Sequence, residues 1–141
     1  MNPTFEQMED GIIQALRLGV PELKSIETYA GQLDGDELGR LPVRFPAAFV
    51  VYGGSEYEPV DGPTFGEEAA FTVVLCASDA RGRHEGAYAL VTAALDTLVN
   101  MIPAEGAGRL RPRRTSLMYT NRQVTAYAVE FTAWADQAFT F

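Results

Sequence analysis

The chain has 141 residues, of which 47% are hydrophobic, 21% charged and 11% aromatic, and these proportions exclude a disordered or fibrous protein. Its 19 acidic and 11 basic residues give a net charge of −8, which argues against a nucleic-acid-binding protein. The single cysteine excludes an internal disulfide, and no apolar stretch approaches the roughly 20 residues that cross a bilayer. We therefore expect one soluble domain over residues 1–141, located in a reducing cytoplasm and without contact to a membrane.

The N-terminal segment has the pattern of an amphipathic helix over about residues 3–18. Its apolar side chains recur at spacings of three and four, which places them on one face of a helix. Thr4 and Gln7 have the spacing of a capping box, and Gly19 and Pro21 predict the end of the helix. The residues of the apolar stripe are Phe5, Met8, Ile12, Ala15 and Leu16.

The next part of the chain predicts strands separated by turn-rich segments. Residues 25–30 alternate apolar and polar side chains, and residues 47–52 form a continuous apolar run typical of a buried strand. We interpret the glycine pair at 53–54 as the turn that ends this strand. Residues 31–46 are rich in Gly, Asp and Pro and have room for one helical turn at most, at 36–41. Residues 56–68 predict an acidic, mobile turn region.

The second half of the chain predicts a long helix between two strands. Residues 69–77 are apolar enough for a central strand. Apolar residues repeat at spacings of three and four from Gly86 to Ile102, which predicts a core helix that Pro103 and Gly106 end. A long strand is expected at residues 123–135, since its side chains separate into two alternating faces.

The order of these elements is α-β-β-β-α-β, with a fifth strand left open. Consecutive strands with two separated helices indicate an α+β fold: a mainly antiparallel sheet of four to five strands with both helices packed on one face. A doubly wound parallel sheet would need more crossover helices than the chain supplies.

No catalytic centre is apparent in the sequence. His84 is the only histidine and has no Ser or Cys partner of obvious role, while Cys76 lies within an apolar strand and is expected to be packed rather than reactive. One histidine and one cysteine do not make a zinc site. Pairs of carboxylates lie in turn-rich segments, where solvated charge is the expected state, so we predict no enzyme, no metal and no cofactor. These pairs are Asp34/Asp36/Glu37, Glu56/Glu58 and Glu67/Glu68.

Two oppositely charged segments supply candidate interface residues. Residues 1–68 carry 13 acidic and 4 basic residues, whereas residues 69–141 carry 6 acidic and 7 basic residues. Arginine binds carboxylates and phosphates through paired hydrogen bonds. A cluster of arginines therefore fits a solvated rim, a contact between subunits, or a contact with a polyanion such as DNA. The candidates are Arg109, Arg111, Arg113 and Arg114 on the basic side and Glu56, Glu58, Asp61, Glu67 and Glu68 on the acidic side.

Several segments, in this order and spacing, resemble a family of small proteins from Mu-like phages and prophages, the gene product 37-like family. The resemblance covers nearly the whole chain, although most matched positions are core or turn residues. The segments are LRLGVP at 16–21, IETYAGQL at 26–33, FPAAFVVYGG at 45–54, FTVVLCA at 71–77, RG at 81–82, GAYALV at 86–91 and LDTL at 95–98.

This resemblance implies a tail terminator, or tail-completion protein, with a tail-terminator-like fold. Such proteins form a ring, usually a hexamer, at the head-proximal end of a finished tail tube, where they stop its growth and join the neck. The implied partners are other copies of the chain, the tail tube, possibly the sheath protein and the neck or connector protein, with DNA only as passing cargo. The implied location is the host cytoplasm during assembly and then the virion tail. The alternatives are a neck or head-completion adaptor, a small enzyme that uses the turn carboxylates, and a DNA-binding module that uses the arginines.

Overall fold

The computed structural model describes residues 3–28, 44–78, 85–120 and 123–138, which form two helices and five strands. The helical turn considered at residues 36–41, the acidic residues at 34–37 and His84 lie outside the described residues. In chain order the elements are α1 (Phe5–Gly19), β1 (Ser25–Thr28), β2 (Ala47–Asp61), β3 (Thr64–Ser78), α2 (Glu85–Leu98), β4 (Arg111–Thr120) and β5 (Val124–Ala138).

Helix α1 begins with the predicted capping box. The Thr4 hydroxyl accepts a hydrogen bond from the backbone N–H of Gln7 at 3.0 Å, and the Gln7 side chain accepts one from the backbone N–H of Thr4 at 2.9 Å. Two backbone donors at the helix start are thereby satisfied. The stripe residues Met8, Ile12 and Leu16 are buried, so this part of the prediction is confirmed.

Helix α2 is one turn shorter than its periodicity predicts. Apolar residues continue the helical spacing to Ile102, but the helix ends at Leu98. Asn100 has a φ of 69°, in the left-handed region that interrupts helical hydrogen bonding. Asparagine tolerates this conformation better than most residues, and its position explains why the prediction of the helix end was wrong.

The five strands form one sheet in the order β1-β2-β3-β5-β4. β1 runs parallel to β2, whereas the other three pairings are antiparallel. The sheet is therefore mixed rather than purely antiparallel, and the α+β class predicted from the sequence is confirmed.

The acidic segment 56–68 belongs to two long paired strands, so the prediction of a mobile turn region was wrong. β2 continues to Asp61 and β3 begins at Thr64, with Glu56 opposite Glu68. The turn is confined to the residues between these strands, where Gly62 has a φ of 52°. The pair at 53–54 is likewise an irregularity within β2 rather than its end.

Both helices pack on one face of the sheet, as the sequence predicts. There, α1 and α2 bury their apolar stripes against alternate residues of β2, β3 and β5. A smaller buried cluster lies on the opposite face, at the end of the sheet that holds Cys76. The main core includes Met8, Ile12, Leu16, Leu90, Leu98, Val50, Phe71, Val73, Val129 and Phe131.

Candidate functional site on the open face of the sheet

The sheet face opposite the helices, from Val51 towards the β2–β3 turn, carries most of the candidate residues, and we call it the open face. The strand register shows which face each side chain is on, because residues directly opposite each other on paired strands point to the same face of the sheet. Phe71 faces the helices, so the residues in register with its neighbours Ala70 and Thr72 face the other way. The charged and aromatic residues assigned to the open face are Glu56, Glu58, Glu68, Glu130, Trp134, Arg111 and Arg114.

Charge on the open face changes sign from one edge of the sheet to the other. Glu56 and Glu58 lie on β2, and both are exposed. Three arginines lie on β4 at the opposite edge: Arg111, Arg113 and Arg114, all exposed. The chain thus presents an acidic edge and a basic edge on the same face.

Two of the arginines contact carboxylates of their own chain across the face. Arg114 Nε lies 3.0 Å from an oxygen of Glu130 on the neighbouring strand β5. Arg113 Nη1 reaches across β5 to Glu68 on β3, at 3.9 Å. Both pairs are largely exposed, so each stabilises the fold by about 0–1 kcal/mol. These contacts leave the charge of the basic edge largely exposed.

Arg109 differs from the other three arginines in its place and its contact. It precedes β4, and its Nη1 donates a hydrogen bond to the backbone carbonyl of Asn100 at 2.9 Å. The guanidinium lies at the end of α2, where a positive charge interacts favourably with the helix dipole. The sequence grouped Arg109 with the cluster, but the structure gives it a contact within the fold.

Glu67 is likewise separated from the other acidic candidates. Its side chain is on the helix side of the sheet and only 1% exposed, and it accepts a hydrogen bond from the Tyr57 hydroxyl at 2.6 Å. This hydrogen bond to a carboxylate is the main cause that raises the pKa of Tyr57, because ionising the phenol would break it. Asp61 lies at the end of β2 and is exposed.

Shallow grooves cross the open face between the two edges. One is lined by Glu56, Glu68 and Arg113 together with small residues of the β2 irregularity. A second lies beside Arg111 and Trp134. These grooves are open and their walls mix polar and apolar groups, which suits contact with another macromolecule better than enclosure of a small substrate.

Glu130 and Trp134 are components of this face that the sequence-based candidate list missed. Trp134 packs its indole directly on Gly66 of the neighbouring strand, and Glu130 pairs with Arg114. Strand alternation was the available signal, because it places Glu130, Thr132 and Trp134 on one side of β5. Their pairing partners depend on sheet order, which the sequence pattern does not give.

The described residues offer little for bond-making chemistry. Among them, no group of three or more His, Cys, Asp or Glu side chains is placed to hold a metal ion. Burial raises the pKa of the Cys76 thiol to about 12, which makes it inert at neutral pH. Within the same ranges, neither helix is both long and apolar enough to span a membrane.

The fold and the open face define an α+β protein whose sheet carries acidic and basic side chains on one face. The chain belongs to the bacteriophage Mu Gp37 family, whose model matches residues 4–135. The sequence-based resemblance to this family is therefore confirmed. No curated protein matches the chain.

Among solved structures, a chain from the virion of a native gene transfer agent particle shares this fold. The TM-score is 0.62 and the sequence identity 17%, and the alignment covers 92% of this chain and 94% of that chain. At this identity the likeness concerns the fold.

Proposed function

We propose that the protein is a tail terminator: a ring, most simply a hexamer, that caps the head-proximal end of the tail tube. The observation that carries this proposal is membership of the Mu Gp37 family over residues 4–135. In this role the ring stops tube growth and binds the neck, and it meets DNA only as cargo that passes through. Assembly takes place in the host cytoplasm, and the protein then remains in the virion tail. The role is structural and needs no catalytic centre.

The charge distribution supports closure into a ring. A ring forms through head-to-tail contacts, in which two different patches of one subunit meet around the symmetry axis. The acidic edge at Glu56 and Glu58 and the basic edge at Arg111 and Arg113 are two such patches on one sheet. Opposite charge at the two patches favours the head-to-tail contact over contacts between like patches.

The remaining candidate residues divide into those proposed to contact partners and those that stabilise the fold of the chain itself. We assign contacts with a neighbouring subunit, the tube or the neck to Asp61 at the end of β2, Glu68 on β3 and Arg114 on β4. Arg109 and Glu67 are assigned to the fold, because Arg109 donates to the backbone carbonyl of Asn100, and Glu67 is buried and accepts from Tyr57.

The test is assembly of tails with and without this protein in the host that makes them. We expect tubes of uncontrolled length in its absence and tubes of uniform length when the wild-type gene is returned. Gold-labelled protein added to finished tubes should appear at one end, the end that joins the head. Uniform tubes in its absence, or label along the sides, would contradict the proposal. Label on the head connector but not on tubes would support the neck adaptor instead.

A further inference from the structure

We infer that the tip of the β2–β3 hairpin of one copy lies in a groove on the open face of the next copy. The hairpin tip is defined here as residues 58–62, and the groove as the one beside Arg111 and Trp134. The inference rests on the ring proposed above and deepens it, because it names the two surfaces that meet. It identifies the occupant of the groove as an acidic segment of a second copy of this chain.

The groove has a volume of about 400 Å³ and combines cationic and aromatic walls. Arg111 is exposed, and Trp134 is 40% exposed although its indole packs on Gly66. Trp and Arg are the side chains that most often dominate the binding energy of protein interfaces. The groove therefore suits a segment that carries both carboxylate and apolar side chains. Its walls are formed by Glu68, Gly108, Arg109, Arg111, Thr132 and Trp134.

The charge of the groove is positive, because two guanidinium groups outnumber one carboxylate in its walls. The carboxylate of Glu68 lies 3.9 Å from Arg113, outside the groove walls. Arg109 donates to the Asn100 carbonyl, which uses one of the five donors of its guanidinium. The Arg111 guanidinium has neither a hydrogen bond nor an ion pair with the part of the chain that the structure describes. Arg111 is therefore available to a carboxylate from another copy.

The hairpin tip carries the complementary groups. Glu58 and Asp61 are exposed carboxylates, and Val60 between them is 54% exposed. Neither carboxylate forms an ion pair with a described residue. Pro59 restricts the backbone and Gly62, with a φ of 52°, forms the turn, so little conformational entropy is lost when the tip binds.

The tip cannot reach the groove of its own chain. β2 and β3 are paired as far as Asp61 and Thr64. β3 is also paired with β5 from Thr64 to Ser78, which holds the hairpin in the plane of the sheet. The groove lies on one face of that sheet, beside β5 and the start of β4. Contact between tip and groove therefore joins two copies, and because the two surfaces differ, the contact is head-to-tail.

The two kinds of contact have different effects on assembly. Opposite charges guide the tip to the groove and disfavour contacts between two tips or two grooves. Covering Val60 and part of Trp134 removes apolar area from water, which drives association. Each subunit of a closed ring contributes one tip and one groove, so both effects are repeated at every junction. The other occupants to be distinguished are the tube protein and the neck protein.

Thiol cross-linking tests the contact without changing any charge. Val60→Cys places a thiol on the tip and Thr132→Cys places one on the groove wall, while the native Cys76 is buried. A mixture of the two variants should form covalent dimers with a short bifunctional maleimide. The chain that carries both substitutions should form a ladder up to the mass of the ring. Val60→Cys mixed with Gln14→Cys, which is exposed on α1, is the matched control and should form no dimer.

Charge exchange tests the pairing of Glu58 with Arg111. Glu58→Arg and Arg111→Glu each place like charges at this contact, and we expect self-association at least about tenfold weaker than wild type. The combined variant again joins opposite charges at every junction, so the ring mass should return in native mass spectrometry and sedimentation. Glu22→Arg and Lys24→Glu make the same charge changes at exposed positions between α1 and β1, and they should assemble as wild type.

The contrary outcomes separate this contact from the ring itself. If the wild-type ring forms and the cross-link between tip and groove is absent, the contact is overturned and the ring stands. Cross-links from the tip to a tube or neck protein, instead of to a second copy, also overturn it. Single charge variants that assemble as wild type, or a combined variant that does not recover, overturn the pairing of Glu58 with Arg111. A wild-type chain that stays monomeric both alone and on tail tubes contradicts the ring, and this contact with it.

Discussion

Arg109 donates a hydrogen bond from Nη1 to the backbone carbonyl of Asn100, with 2.9 Å between the two atoms. Asn100 has a φ of 69° and follows the end of α2 by two residues. Arg109 therefore ties the end of α2 to the segment that leads into β4. Its neighbours on β4 contact carboxylates or solvent instead. The arginine cluster therefore includes one residue that stabilises the fold and three that lie on the open face.

Replacement of Arg109 by alanine should lower the free energy of unfolding by about 1 kcal/mol. The substitution removes a hydrogen bond from a charged donor and a favourable interaction with the helix dipole. Arg111→Ala is the control, because Arg111 is exposed on β4, and its effect should stay within about 0.5 kcal/mol. Urea unfolding of both variants measures the difference. Equal stability of the two variants would contradict a special role for Arg109.

Trp134 leaves no room for a side chain on Gly66. A Cβ placed on Gly66 would lie 1.9 Å from Cζ2 of the Trp134 indole, so an alanine there must displace the ring. Gly66→Ala should cost about 1–3 kcal/mol in stability, as overpacking commonly does. Trp134 is the only tryptophan, so the shift in its fluorescence reports the displacement directly.

Gly53→Ala serves as the control for this substitution. A Cβ at Gly53 would have its nearest neighbour at 3.7 Å, an ordinary van der Waals contact. We expect unchanged fluorescence and a much smaller change in stability. Should Gly66→Ala leave both fluorescence and stability at wild-type values, the indole does not pack on Gly66 in solution.

The sequence pattern predicted the two helices, the central strands and the α+β class, because apolar periodicity follows burial closely. It failed for residues 56–68, where the many Glu, Gly and Pro residues indicated a turn region. The structure instead has two paired strands there, and their open face is solvated. The sequence pattern also could not predict the order of the strands in the sheet. The contacts Arg113–Glu68 and Arg114–Glu130 join residues far apart in the chain, and only the pairing of β3 with β5 and β5 with β4 brings them together.

Cys76 should resist thiol reagents while the protein is folded. Burial raises the pKa of its thiol to about 12, so the reactive thiolate is scarce and also inaccessible at about pH 8. Labelling with a disulfide reagent should proceed only as fast as the protein unfolds, and it should accelerate in denaturant. Rapid labelling without denaturant would show that the cluster around Cys76 opens in the native state.

The raised pKa of Cys76 also predicts how stability changes in alkali. The folded thiol titrates at about 12 and the unfolded thiol near its ordinary 9.0, so the native state holds more protons between these values. The stabilisation is fully present below about pH 9 and is lost as pH rises towards 12. From about pH 8 to about pH 10 the wild type should lose about 1 kcal/mol more than Cys76→Ala. Parallel loss in both proteins would contradict this assignment.

Tyr57 and Glu67 allow a test of the one acidic candidate that is buried. Tyr57→Phe removes the hydroxyl that donates to Glu67, and we expect a loss of about 1 kcal/mol, since the carboxylate then lacks one partner in a poorly solvated site. In the Glu67→Gln background the same substitution should cost less, because a neutral acceptor forms a weaker hydrogen bond. The pKa of Tyr57, followed by NMR, should also move down towards its ordinary value in Glu67→Gln. An unchanged pKa would mean that burial, rather than the carboxylate, raises it.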